Sequence, residues 1–398
     1  MGWSLRNWFR KDELKNRAEH GDPDAQYQMA VRYSEGLGVR QNNHKAEELF
    51  CLSAQNGVTE SQFMMGVLND TELGRSGTAE PHAANEWYAL AAGKGDTQAQ
   101  FNLAYNYEHG IGAPVNLNEA INWYTKAADA GVPKANFCLG CIYAADEGYI
   151  DYPAAYSRLE AAASAGFPRA GYVLFAMYGE GVGLKEPNIF LAQKWIKRAA
   201  AEGDAPSMFI LAHLTIYGSD YVEKNESEAW RLMEASALAG CLPAMSSLGL
   251  MYCYGIAGRT PDFVVAYSLL TAASIGGDAA ATDALALMHL RGMSVTADPA
   301  KAAQLLKQAT EAGEPCAANN LANLCVAGLI PGGTTEAARL YGLARDHGSS
   351  RAAQNLAALP GTDPLFFELV SGSITLSFPA RIPGRDSSGN DGVPKNDI

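Results

Sequence analysis

A chain of 398 residues with 48% hydrophobic and 18% charged side chains has ample apolar surface to bury, which excludes a disordered polypeptide. Thirty Lys+Arg against 43 Asp+Glu leave a formal charge of -13. That balance excludes a surface that tracks phosphates, because DNA and RNA binding draws its affinity from clustered basic groups.

Residues 1–20, MGWSLRNWFRKDELKNRAEH, mix five basic with three acidic side chains and lack the apolar run of a secretory signal. Arg6 stands where N-myristoylation needs Ser or Thr. Trp3, Leu5, Trp8 and Phe9 predict a capping helix on the end of a larger array; peripheral membrane contact through their apolar side is the alternative. The longest uncharged run, Ala235 to Gly258, is broken by Gly240 and Pro243, so no transmembrane segment is expected.

From residue 21 to 359 the chain repeats. A glycine after a run of small residues recurs at Gly21, Gly57, Gly95, Gly131, Gly166, Gly203, Gly240, Gly276, Gly313 and Gly348, at intervals between 35 and 38 residues. Between these glycines two phrases alternate. The first is Ala-x3-Leu-[Gly/Ala]-x2-Tyr-x2-Gly, as in Ala99, Leu103, Ala104, Tyr107 and Gly110. The second is Ala-x2-Trp-x3-Ala-Ala-x2-Gly, as in Ala120, Trp123, Ala127, Ala128 and Gly131. Both place apolar residues at the helical period, so each repeat predicts a pair of helices, A then B. Helix B stops at its glycine, and a proline opens the next helix in "AGVPKA", "AGFPRA" and "AGEPCA". One pair cannot bury its own apolar face, so successive pairs must stack.

These phrases resemble Sel1-like repeats, relatives of the tetratricopeptide class, over residues 21–348 as nine units with a partial tenth at 350–359. The resemblance implies an all-α, α/α superhelical solenoid of about nine to ten helix-turn-helix repeats. It also implies scaffold or adaptor work on a protein partner, with no cofactor, at membrane-associated or secretory complexes in eukaryotes or in signalling, host-interaction or toxin-related roles in bacteria; a bacterial, cytoplasmic protein is expected. A narrower form is an adaptor or immunity protein for a bacterial toxin or secretion system. A further alternative is hydrolysis of penicillin-like or cell-wall substrates, associated with cysteine-rich exported relatives whose repeats carry regular disulfides. The seven cysteines here, Cys51, Cys138, Cys141, Cys241, Cys253, Cys316 and Cys325, have no such regularity and read as reduced thiols. Repeat 2 departs from the pattern with Asn69 at the Tyr position and a loop through Arg75-Ser76-Gly77. Repeat 6 has Thr215 there and an acidic loop at 218–227.

At roughly 100° per residue, the third and seventh positions of the A phrase point away from its Ala, Leu and Tyr. By analogy with tetratricopeptide arrays they line the concave side. The third position reads Tyr27, Phe63, Phe101, Phe137, Tyr172 and Phe209 before turning polar at Ser246, Asp283 and Asn319. The seventh includes Tyr105 and His213. Tyr27, Phe63, Phe101, Tyr105, Phe137, Tyr172, Phe209 and His213 are therefore the candidates for gripping an extended peptide or an amphipathic helix. The alternative is that a tightly wound array packs these rings between repeats.

Catalytic and metal signatures are lacking. No HExxH, GxxxxGK[ST], GxSxG or paired SxxK and KTG occurs, and no enzyme activity is expected. The seven histidines stand singly, without a second ligand one helical turn away. Gly36-x-Gly38, Gly110-x-Gly112 and Gly181-x-Gly183 recur as repeat turns rather than phosphate loops. After Pro360-Gly361, residues 360–378 contain the β-prone "LFFELVSGSITLSF" and are expected to cap the last repeat or dock elsewhere. Residues 379–398, rich in Pro, Gly, Asp and Ser, are expected to be disordered.

Overall fold

The computed structural model describes residues 13–70, 79–219, 221–256 and 259–359. The first part of the predicted capping helix, the Arg75-Ser76-Gly77 loop, and the 360–378 and 379–398 segments lie outside them. Every described regular element is a helix, and extended pairing is limited to one isolated bridge between Ser219 and Val222.

The described residues divide into two compact units, one ending at Ala170 and one starting at Gly171. The N-terminal unit contains α1 (13–19), α2 (Pro23–Glu35), α3 (Asn43–Gln55), α4 (Thr59–Asp70), α5 (Pro81–Gly93), α6 (Thr97–His109), α7 (Leu117–Asp129), α8 (Pro133–Ala145) and α9 (Tyr152–Ser164). The boundary falls inside α10 (Pro168–Glu180). The C-terminal unit continues with α11 (Ile189–Ala201), α12 (Ala205–Tyr217), α13 (Glu226–Leu238), α14 (Leu242–Tyr254), α15 (Phe263–Ile275) and α16 (Ala279–Arg291). It ends with α17 (Pro299–Glu311), α18 (Pro315–Val326), α19 (Gly333–Asp346) and α20 (Ser350–Ala358). From α2 onward the even-numbered helices are the predicted A helices and the odd-numbered ones the B helices.

Local chemistry punctuates the helices. Asn42, Asn116, Asp151, Asn188, Asn225 and Asp298 sit at the N-caps of B helices, where each side chain accepts a hydrogen bond from the amide three residues on. Asp22, Asp96, Asp204 and Asp278 do the same for A helices. Where α8 has Val132 in that place and no side-chain cap, Pro133 opens the helix, as "AGVPKA" predicts. The B helices end at glycines in the left-handed region, from Gly21 (φ 87°) to Gly348 (φ 98°). One register differs from expectation: α15 closes on Gly277 (φ 96°), while Gly276 keeps right-handed backbone. The N-cap Asp278 needs its glycine directly before it, as Gly95 precedes Asp96 and Gly203 precedes Asp204.

Within each unit consecutive helices pack on one another, from α1 to α9 and from α11 to α20. A helices also touch the next A helix, as α4 touches α6, α12 touches α14, α14 touches α16 and α16 touches α18. The A layer is therefore the crowded inner layer of an all-α solenoid, and the B layer the outer one. In α16 the eight residues 281–288 are all buried, whereas α15 buries only Ala266, Leu270 and Ala273. Close approach explains the small sixth position of the A phrase: a Cβ on Gly140 would lie 2.5 Å from Leu159 Cγ on α9. Helix ends are tied across the A/B step by Gln26, Gln62 and Gln100, whose Nε2 atoms donate to the Ala18, Ala54 and Ala92 carbonyls at 3.4, 3.1 and 3.2 Å. The two departures at the Tyr position satisfy themselves, since Asn69 donates to Met65 O at 2.7 Å and Thr215 to Leu211 O at 2.6 Å. At the N-terminal end, Leu14 and Ala18 of α1 cover Ala25 and Met29 of α2.

Candidate functional site

The third-position rings do not share one environment. Phe101, Phe137 and Phe209 are buried, while Tyr27, Phe63 and Tyr172 are half-buried. Several meet an aromatic from the B side of the same repeat: Tyr27 lies 6.0 Å from Phe50, Phe63 6.1 Å from Tyr88, and Phe101 5.5 Å from Tyr124, centroid to centroid. Phe137 packs 5.0 Å from Phe167. Phe101, Phe137 and Phe209 thus belong to the packing between helices and offer no surface to a partner. Angles around a single helix missed this because an A helix is touched by the preceding B helix, its own B helix and the next A helix. Little of its circumference stays open.

The polar third positions Asp283 and Asn319 also join neighbouring A helices, whereas Ser246 donates to Leu242 O of its own helix at 3.1 Å. Asn320 Nδ2 on α18 donates to Asp283 Oδ1 on α16 at 3.0 Å, and Asn355 Nδ2 on α20 donates to Asn319 Oδ1 at 3.0 Å. Tyr341 on α19 donates its hydroxyl proton to Asn323 Oδ1. Asp283, Asn319 and Asn323 are buried, and these bonds take the place of the rings used earlier in the chain.

Besides the half-buried Tyr27, Phe63 and Tyr172, what remains accessible on the inner face lies at the seventh position of some A helices and, one turn further, at an eleventh position that the sequence pattern did not single out. In the N-terminal unit this is Tyr105 and His109, half-buried and stacked at 4.0 Å with ring planes 20° apart. His109 Nδ1 lies 3.0 Å from Tyr105 O, and 3.9 Å from a carboxylate oxygen of the buried Glu108. Tyr124 donates to Glu108 Oε2 at 2.7 Å. Beneath them Asn106 donates to Asn85 Oδ1 at 2.6 Å, and Asn85 donates to Ile111 O at 2.7 Å, in a polar brace that fixes the turn.

In the C-terminal unit the same two lines read His213, Leu250, Leu287 and Asn323 at the seventh position, then Tyr217, Tyr254 and Arg291 at the eleventh on α12, α14 and α16. His213 and Leu250 are half-buried, Leu287 and Asn323 buried. Tyr217 is 66% and Tyr254 43% exposed, and Arg291 is exposed. His213 meets Phe209 edge-on at 4.6 Å, and burial pushes its imidazole down to about 4, so it is neutral near pH 7. Burial also pushes the Tyr254 hydroxyl well above its ordinary range, keeping it a neutral donor. This strip combines aromatic, aliphatic and neutral imidazole groups with one guanidinium at its edge. Its signal in the sequence was the 3, 7, 11 spacing along a single helical face, read on to the helix end.

The seven cysteines are all free thiols, and among the described residues no group of three His, Cys, Asp or Glu side chains is placed to hold a metal ion. Among the same residues no helix is long and apolar enough to cross a membrane.

Comparison with known proteins agrees with this architecture. The Sel1 repeat family model matches residues 23–58, 59–96, 97–132, 168–204, 205–241, 242–278 and 279–314, more than half of the chain. The unmatched stretch 133–167 still forms the pair α8 and α9, but α8 ends on an extended Asp146 where α2, α6, α14 and α16 end on a left-handed glycine. A Sel1 repeat protein from Oxalobacter formigenes superposes with a TM-score of 0.59 at 29% identity, covering 77% of this chain and 88% of that one. The antigen c5321 of uropathogenic Escherichia coli, described as displaying an SLR fold, has a TM-score of 0.56 at 21% identity over 88% of this chain and 85% of its own, a likeness of fold. Chitin synthase regulator SKT5 of Saccharomyces cerevisiae is 28% identical over 229 residues, 54% of this chain; the match spans only 32% of the yeast protein. With paired helices at the repeat period and a matching family model over most of that array, this chain belongs to the Sel1 repeat family.

Proposed function

We propose that this protein is a protein-interaction scaffold that holds a segment of a partner against the inner face of its C-terminal unit. Sel1 repeat proteins generally work as such scaffolds, and the description of the yeast relative as a chitin synthase regulator accords with a role that is not catalytic. The observation that carries the reading is the exposure of Tyr217 and Tyr254 at equivalent positions on α12 and α14, beside the half-buried His213 and Leu250. Tyrosines left open on a rigid helical layer supply contact area at little entropic cost. Neighbouring A helices lie ~10 Å apart, which matches residues i and i+7 of a docked helix at ~1.5 Å per residue. An amphipathic helix, with an extended peptide as the less well matched alternative, is the partner segment this spacing suits.

A photo-crosslinking residue at position 217 should yield an adduct with the partner in cells, identified by mass spectrometry. The Tyr217→Ala, Tyr254→Ala double variant should then bind that partner at least ~tenfold more weakly, about 1.4 kcal/mol, with its thermal melt unchanged. Unaltered affinity in the double variant would remove the inner face from the proposal.

A further inference from the structure

The inner strip of the C-terminal unit lies between two opposite charges. Helices α12 (APSMFILAHLTIY) and α14 (LPAMSSLGLMYCY) contain no Asp, Glu, Lys or Arg, so Tyr217 and Tyr254 sit in an uncharged stretch. At the same eleventh position, the A helices on either side place Glu180 at the end of α10 and Arg291 at the end of α16. Both are exposed, and neither side chain forms an ion pair or hydrogen bond with the described residues. By contrast Arg198, Arg231 and Arg339, on the B helices α11, α13 and α19, each hold a carboxylate oxygen at 2.7, 2.7 and 2.6 Å. With 43 acidic residues against 30 basic ones carboxylates are plentiful, yet Arg291 is left without one.

These groups form one row. Helix α12 touches α14 and α14 touches α16, and the Arg291 charge is felt at the Tyr254 hydroxyl, where it opposes the upward push of burial. On the other flank the Phe175 ring of α10 lies 5.5 Å from Tyr221, in the loop that follows α12. A Cβ on Gly171 of α10 would lie 3.3 Å from Trp195 O on α11, the helix that joins α10 to α12. Three steps of ~10 Å separate α10 from α16, and a helix covers that ~30 Å in ~20 residues. The row therefore reads carboxylate, tyrosine, tyrosine, guanidinium in successive steps.

We propose that a partner helix lies across α10, α12, α14 and α16 in one fixed direction, with its N-terminal end and a basic side chain at Glu180, apolar side chains on Tyr217 and Tyr254, and an acidic side chain at Arg291. This rests on the inner-face reading above and adds a polarity to it. Two terms choose the direction. A helix carries about half a positive charge at its N-terminus and about half a negative one at its C-terminus, so the carboxylate and the guanidinium each meet the end they attract. Charged side chains ~20 residues apart on the partner add an ion pair at each end. Exposed pairs contribute little affinity, but a helix turned round would oppose like charges at both ends. The wrong direction is excluded more than the right one is strengthened.

p-Azidophenylalanine in place of Tyr217 or, separately, of Tyr254 keeps a ring at each position and on photolysis marks the partner residue above it. Mass spectrometry should place the position-217 adduct ~7 residues N-terminal to the position-254 adduct, in one segment of one protein. A synthetic peptide of ~25 residues spanning both adducts should bind the full chain. The Glu180→Lys, Arg291→Glu double variant should weaken that binding at least ~tenfold with its thermal melt unchanged, since both side chains are exposed. Exchanging the basic and acidic residues at the two ends of the peptide should restore binding to the double variant and weaken binding to the parent. Adducts in the opposite order or in different proteins, or a double variant that binds as the parent does, overturn the assigned direction and leave the inner face in place. Adducts from neither position would remove the inner-face reading itself, and the direction with it.

Discussion

His213 shows how a polar side chain is put to apolar use. Its ring lies edge-on to Phe209, and its Nε2 is buried without a hydrogen-bond partner, so protonation would place a charge where water is excluded. Burial holds its folded pKa near 4, below the ordinary histidine value of 6.5. As pH falls below 6.5, the unfolded chain binds a proton that the folded chain refuses, and stability drops until the pH approaches 4. The drop should amount to about 3 kcal/mol at most. Chemical denaturation at a series of pH values should show it in the parent, and His213→Phe should flatten this part of the profile. Phe137 and Tyr217 illustrate the other side of residue-level reading. Both are aromatic on A helices and look equivalent as letters, yet Phe137 is buried against Phe167 and Tyr217 lies open.

A helix in this array is defined by its ends and completed by its neighbours. N-caps such as Asn225 and Asp298, and the left-handed glycines after each B helix, act within a few residues, which is why the helix order was legible in the sequence. The misplaced glycine at 276 shows the limit of that legibility: two adjacent glycines satisfy the same local rule, and the register of Asp278 decides between them. Ser294, with φ 65°, takes the place in its A/B turn that Gly38 and Gly112 hold in theirs, so a glycine spacing alone also undercounts the turns. Dependence on neighbours is testable at the N-terminal end, where α1 covers Ala25 and Met29. Leu14→Asp should uncover that edge. Amide hydrogen exchange should then accelerate through α2 and α3 while α16 to α19 keep their protection. Uniform acceleration along the chain would contradict nearest-neighbour stability.

At the scale of the whole molecule, 43 acidic against 30 basic residues set a sequence pI of about 5.0. Turbidity should pass through a maximum near pH 5.0 and fall on either side, because net repulsion between chains vanishes there and apolar faces such as α15 are no longer kept apart. Turbidity without a maximum in that region would mean that net charge does not control association. The sequence by itself determined the repeat, the paired helices, their caps and the family, since each follows from residues close together in the chain or from their period. Only the tertiary structure decided which aromatic side chains are open. Exposure depends on which three neighbours press on an A helix, and on how far along that helix they reach. A spacing pattern carries neither quantity, so Phe101 and Phe137 went to the interior while Tyr217 and Tyr254 stayed at the surface.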